Sequence, residues 1–314
     1  MFVIKLYVLV LSALILDNRV HTMKTQEFFP DAAQNLTKIN WAHAVNNQSY
    51  LSSTLKDAKI DMIEADIVLG TITGQSDTTP IPIMAHPPTN TSDLSLESFL
   101  TQVRDFNTSE SSKKGVKLDF KTIDVFEASK DYVAKFNEVD FPIWINADIL
   151  AGPINSTVTP VDPARFFATA KLFVNATLSV GWTTNYGANM TGSYSSDEIE
   201  EMIETVKKNN VSAEITFPVR AGLAAESVDL LVNLTSEFEG STLTIWSSEG
   251  DHVDVDKLRK LIKTVGLNKT YVDVPSDLKE KLHLDNLGGG AGQFKSVSLV
   301  GLLVSVLVMV INLV

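Results

Sequence analysis

Cysteine is absent from the 314 residues, which removes disulfides, zinc–thiolate centres and thiol nucleophiles from consideration. Any metal must then sit on oxygen or imidazole. The absence says little about compartment, since a barrel of about 250 residues buries enough surface to stand without covalent staples. Basic charge is also short: 26 Lys and Arg against 38 Asp and Glu leave a net charge of -12. Such a surface repels polyanions, so no nucleic acid and no anionic lipid face is expected as the main partner, while a locally basic pocket stays compatible with it. Internal repeats and low-complexity stretches are missing too, and the long apolar runs are confined to the two ends.

The first run, Phe2 to Leu16, carries a single charge at Lys5. It is too short to span a bilayer and suits the core of a signal peptide over residues 1–22, although no clear small-x-small cleavage site follows it. An uncut membrane anchor is the alternative. The last run, Val297 to Val314, has no basic residue after it and stands behind Gly288, Gly289, Gly290, Ala291 and Gly292. Small residues, a short polar spacer and a greasy tail are the order that a GPI-attachment signal requires, with a better spacer length from Asn286 than from Gly288. A C-terminal transmembrane helix is the rival, since the run is just long enough to span. Residues 285–314 are therefore read as linker and membrane-anchoring tail, residues 35–284 as the folded domain, and the chain as extracellular or cell-surface.

Ten Asn-x-Ser/Thr sequons fit an exported glycoprotein, at Asn35, Asn47, Asn90, Asn107, Asn155, Asn175, Asn189, Asn210, Asn233 and Asn268.

Between the end segments, short β-rich runs alternate with helix-length amphipathic ones, the rhythm of a parallel sheet. Eight strands are expected: Ile39 to Asn46, Met62 to Val68, Val116 to Phe120, Phe141 to Ile149, Thr177 to Trp182, Ser212 to Val219, Thr242 to Trp246 and Thr270 to Val274. Ser196 to Lys208 reads as a helix with Ile199, Met202, Ile203 and Val206 on one face; Val253 to Val265 reads likewise, with Val255, Leu258, Leu261 and Ile262 inward. A ninth β-like run, Ile81 to Ala85, follows too short a linker for a parallel crossover, so it is expected to return antiparallel against strand two. The fold class is α/β, a (β/α)8 TIM barrel with a hairpin insertion after strand 2.

In such a barrel the functional residues gather at the C-terminal ends of the strands. Strand one carries His43, strand two Glu64 and Asp66, strand three Asp119 and Lys121, and the hairpin places His86 above the mouth. Residues two apart on a strand face the same way, so these pairs converge. Three carboxylates aimed into a barrel repel one another unless a cation neutralises them, and hard oxygen ligands suit Mg²⁺ or Ca²⁺. Asn46, Asn146, Asp148 and Trp246 are candidate lining residues, with ordinary packing an equal account of Asp148 and Trp246. Taken singly, an E-x-D pair or a barrel histidine is weak; their joint order carries the signal.

That order resembles the glycerophosphodiester phosphodiesterase and sphingomyelinase D superfamily. More specifically, WAHAVN at 41–46, IEADI at 63–67, MAHPP at 84–88, KLDFK at 117–121 and WINADIL at 144–150 resemble the menorin family, over roughly residues 38–275. The resemblance implies a metal on Glu64, Asp66 and Asp119, His43 and His86 as general acid and base or as nucleophile, and Lys121 on the phosphate. Two departures are visible: Ala44 follows His43 where glycerophosphodiesterases have Arg-Gly, and Pro87 follows His86 where they have Asp. The missing Arg removes a phosphate clamp. Two functions follow from the resemblance. One is a metal-dependent phosphoric diester hydrolase or lyase acting on a phosphodiester or phospholipid headgroup; the other is a non-catalytic ligand for extracellular adhesion proteins or receptors in dendrite or tissue patterning. A retained site that binds metal and headgroup without turnover lies between them.

Overall fold

The computed structural model describes residues 23–110, 112–136, 139–173 and 176–287. The expected signal segment and the apolar tail beyond residue 287 lie outside the described residues, as does the sequon at Asn175. Among the described residues no helix is long and apolar enough to cross a membrane.

Among the described residues ten strands form: β1 (Trp41–Ala42), β2 (Met62–Ile72), β3 (Ile81–Met84), β4 (Thr91–Ser92), β5 (Gly115–Phe120), β6 (Ile143–Ala151), β7 (Thr177–Thr183), β8 (Ile215–Arg220), β9 (Thr242–Trp246) and β10 (Thr270–Asp273). Eight of them run parallel in the order β1-β2-β5-β6-β7-β8-β9-β10, a nearly closed (β/α)8 barrel. Their apolar residues are buried almost without alternation because helices cover the outer face and side chains fill the inner one. At the seam, β1 and β10 are joined by side chains. Trp41 meets Tyr271 edge-on at 6.2 Å, and the Lys279 ammonium donates to Asn40 Oδ1 at 2.8 Å. A cavity of about 540 Å³ opens there.

Six of the helices among the described residues start where a side chain caps them. Asn47, Ser95, Thr122, Asp162, Ser195 and Asp254 each accept a backbone N–H of the following first turn, and Ser195 with Glu198 forms a reciprocal capping box. The expected helix Ser196–Lys208 forms with those bounds, and Ile199, Met202, Ile203 and Val206 are buried. The other begins at Val255 behind its Asp254 cap, two residues later than its apolar pattern implies, with Leu258, Leu261 and Ile262 buried and Val255 only partly so.

The barrel floor is aromatic. Trp144 stacks edge-on with Trp41 at 5.3 Å and Tyr271 at 4.8 Å, and its indole N–H donates to Thr25 Oγ1 at 2.9 Å. Apolar surface thus closes the N-terminal end and leaves polar side chains for the mouth.

The Ile81 run does return antiparallel, pairing Met84 with Ile67 and Ile81 with Gly70. Strand two accordingly extends to Ile72, four residues beyond the expected end, because β3 supplies partners as far as Gly70 and the parallel β4 supplies them for Thr71 and Ile72. The first strand corrects the expectation in the other direction: only Trp41–Ala42 forms a ladder, not Ile39 to Asn46. The cause is Glu64, whose carboxylate accepts the Ala44 N–H at 2.7 Å while Ala44 adopts φ 54°, so the ladder is interrupted at His43 and only the Val45 N–H returns to the Glu64 carbonyl, at 2.9 Å.

Candidate functional site

Strands β2 and β5 lie side by side in a register that sets Glu64 opposite Lys117 and Asp66 opposite Asp119. Alternation then directs Glu64, Asp66, Lys117, Asp119 and Lys121 to one face, the inside of the barrel. One carboxylate oxygen from each of Glu64, Asp66 and Asp119 lies within 4.8 Å of the others. The Lys121 ammonium sits 2.5 Å from Asp66 Oδ1 and from Asp119 Oδ2. Burial pushes Asp119 up, but Lys121 and Lys117 outweigh it and hold the carboxyl below the usual range. Burial likewise works against the charge of Lys121, and Asp119, Asp66 and Glu64 overcome it, keeping the ammonium firmly protonated.

His43 stands beside this group on the segment that follows β1. Its Nδ1 is 3.1 Å from Asp273 Oδ2 and 3.3 Å from Glu64 Oε2. The Glu64 charge is the largest influence and, with Asp273 helping and burial opposing, raises His43 to about 9. The imidazolium is 54% exposed, so its other nitrogen is open to the mouth. Glu64 is pushed above the ordinary carboxyl range by burial, an effect that His43 opposes.

Asn46 is a brace more than a wall: its amide donates to Asp66 Oδ2 at 2.7 Å and its carbonyl accepts the Asp66 backbone N–H at 2.9 Å. Asn146 does the same for Asp119, donating to Oδ1 at 2.7 Å, and its own carbonyl accepts the Ser179 hydroxyl at 2.6 Å. Two of the three carboxylates are thus held by amides, which fixes their rotamers. Asp148 lies half-buried near the end of β6, opposite Gly181. A side chain at Gly181 would come within 3.0 Å of Asp148 Oδ1 and 2.8 Å of Pro218, so glycine leaves the room that the carboxyl occupies. Burial first, and the Asp119 charge second, push Asp148 up to about 7.

His86 is exposed on the loop after β3, with Nδ1 2.7 Å from Pro87 O. Among the described residues its side chain has no hydrogen bond or ion pair with the other five. Trp246 ends β9, half-buried, beside Asp273 in register. It carries on its ring face the guanidinium of Arg220 at 5.0 Å, which Tyr186 covers at 5.6 Å from another side. Arg220 Nε and Nη2 donate to both Asp251 oxygens at 2.8 and 2.9 Å. Its charge is therefore matched within the wall by Asp251.

Three contributors escape the sequence reading: Asp273, Lys117 and Arg220. Each lies on the alternation of its strand, two residues from an inward neighbour, and that spacing was the available signal. Lys117 is 5% exposed, and its charge bears on His43, Glu64, Asp119 and Asp148. The inner mouth then holds five carboxylates, Glu64, Asp66, Asp119, Asp148 and Asp273, against the cations Lys117, Lys121 and His43. Three clustered carboxylates in an acidic surplus are a donor set that suits a hard divalent ion such as Mg²⁺ or Ca²⁺.

Fold and site define a (β/α)8 barrel with an acidic, lysine-bearing mouth. The chain matches the Menorin N-terminal domain over residues 35–279. It is also 36% identical over 245 residues to Protein FAM151B of Homo sapiens, covering 77% of this chain and 84% of that protein. The chain belongs to the menorin family. Among solved structures it is similar to KGPDC from Streptococcus mutans, with 12% identity, 80% and 99% of the two chains covered, and a TM-score of 0.41. An oxaloacetate acetylhydrolase in complex with oxalate gives 9% identity, 77% and 78% coverage, and a TM-score of 0.43. Likeness at that level carries no argument about activity.

Proposed function

We propose that the chain is an exported, membrane-anchored cell-surface glycoprotein whose barrel mouth is a metal-dependent phosphodiesterase-type site for a phosphodiester or phospholipid headgroup. The observation that carries this reading is the convergence of Glu64, Asp66 and Asp119 to within 4.8 Å, with Lys121 and His43 beside them. Glu64, Asp66 and Asp119 would hold Mg²⁺ or Ca²⁺, which when bound supplies charge neutralisation at the non-ester phosphate oxygens. Lys121 orients the phosphate from the same face. His43 Nδ1 lies against Asp273 and Glu64, which leaves Nε2 as the nitrogen to exchange a proton with the leaving oxygen. His86, on the loop after β3, would be the second proton carrier, taking the proton of the attacking group.

The test is incubation of the purified chain with Mg²⁺ or Ca²⁺ and a panel of glycerophosphodiesters and choline phospholipids, beside His43→Ala. The reading expects product from the unaltered chain and a loss of roughly 10²-fold or more in the variant. No product from any diester would overturn turnover.

A second reading, a non-catalytic ligand of extracellular adhesion proteins or receptors, is favoured by one observation. Two cations of the mouth are matched internally, Lys121 by Asp66 and Asp119 and Arg220 by Asp251. Partner binding that survives in a Glu64→Ala, Asp66→Ala double variant would place adhesion away from the mouth.

A further inference from the structure

Nine of the ten sequons fall on described residues, and the fold sorts them by position and by what the asparagine amide is doing. Asn107 is committed to structure. Its Nδ2 donates to the Lys114 carbonyl at 2.8 Å and its Oδ1 accepts the Lys114 N–H at 2.7 Å, so a sugar on Nδ2 would break the pair that ties the end of its helix to the start of β5. Asn47 is the opposite case. It is exposed, and as a helix cap it uses only Oδ1, which accepts the Tyr50 N–H and the Ser49 hydroxyl at 2.8 Å each. A glycan on its Nδ2 leaves the cap intact.

Position around the barrel is uneven. Asn47 lies in the loop leaving β1, Asn90 four residues beyond His86 in the hairpin insertion of β2, Asn155 in the loop leaving β6 and Asn189 in the loop leaving β7. All four are exposed; Asn47, Asn155 and Asn189 leave C-terminal ends of barrel strands, and the Asn90 carbonyl accepts the Thr71 N–H near the C-terminal end of β2, so all stand on the mouth side. Asn35, Asn210 and Asn268 precede their strands and belong to the floor side, while Asn233 lies within the helix Val228–Ser236 on the outer wall. The loops leaving β9 and β10, next to Trp246 and Asp273, carry no sequon.

We propose that Asn47, Asn90, Asn155 and Asn189 carry N-linked glycans that screen one side of the mouth, that Asn107 carries none, and that the β8–β10 arc is the sugar-free approach. N-linked glycans are bulky and hydrated, so four of them favour a ligand entering over Trp246. The inference rests on the export part of the proposed function and not on its chemistry.

The test is site mapping on the full chain produced in a secreting animal-cell line. Treatment with peptide-N-glycosidase F in heavy-oxygen water converts each occupied Asn to labelled Asp, which peptide mass spectrometry reads. Label at Asn47, Asn90, Asn155 and Asn189 with none at Asn107 is the expected result. Label at Asn107, or no label at the mouth sites, overturns the proposal, and neither result bears on whether the mouth turns over a diester. A Ser49→Ala variant removes one sequon while leaving the Asn47 cap acceptor: it is expected to lose label at residue 47 alone, with an unchanged Tm. Asn107→Gln is expected to lower Tm with the label pattern unchanged.

Discussion

His43 draws its character from two carboxylates on opposite sides of the barrel seam, Glu64 from β2 and Asp273 from β10. Because its pKa is raised, the contribution of this pairing to stability is whole below about 6.5 and is lost as pH rises through about 9. At 54% exposure solvent screens the pair, so the effect shows in the titration of the ring more than in Tm. In the metal-free protein, histidine NMR should report His43 titrating near 9, and Asp273→Asn should bring it down without returning it to 6.5, since Glu64 is the larger cause. Full return would make Asp273 the dominant partner. Asn46 gives a second test at this scale. Asn46→Ala deletes both hydrogen bonds to Asp66 and should cost about 1–3 kcal/mol of stability in denaturant unfolding. It should also weaken divalent-metal binding by roughly 10–100-fold through the loss of an outer partner.

The hairpin insertion was legible at the level of the element because residues 70–80 are too few to hold a crossover, and the antiparallel pairing of β2 with β3 follows. The helix at Ser196–Lys208 was legible in its apolar spacing, and its start was written in the Ser195/Glu198 box. Ser195→Ala should therefore lower stability by about 1 kcal/mol in thermal or denaturant unfolding. The early end of β1 was not legible. Residues 39–46 have strand composition, and what ends the ladder is a carboxylate twenty residues away that captures the Ala44 N–H. Tertiary capture of a backbone group leaves no local mark. Asp273 escaped for a related reason: it is 230 residues from His43, in a short last strand whose neighbours look apolar.

The whole molecule closes its barrel floor with aromatic rings and clusters its buried carboxylates at the mouth, where they exceed the cations, while the buried Lys114 at the start of β5 is tied to the carbonyls of Asp57 and Ile60. Glu64, Asp66, Asp119 and Lys121 were readable as a group because alternation on two neighbouring strands suffices to join them; Lys117 stood on the same alternation, two residues before Asp119, and only the amide braces needed the register. Burying a carboxyl beside another has a cost visible in pH, with burial the larger cause and the Asp119 charge the smaller. Asp148 moves from an ordinary 3.8 to about 7, so the folded chain keeps a proton that the unfolded chain releases, and stability falls as pH rises across that window. Asp148→Asn should remove the fall, giving the metal-free variant an advantage of roughly 1–3 kcal/mol above neutrality that vanishes below pH of about 4, read as Tm against pH. The most direct measurement of the central claim is calorimetric titration of the purified chain with Mg²⁺ and with Ca²⁺, beside Asp66→Asn and Asp119→Asn. The account predicts saturable binding of at least one of the two ions, weakened about tenfold or more by either substitution. Binding of neither ion, or binding that both variants leave unchanged, would contradict it.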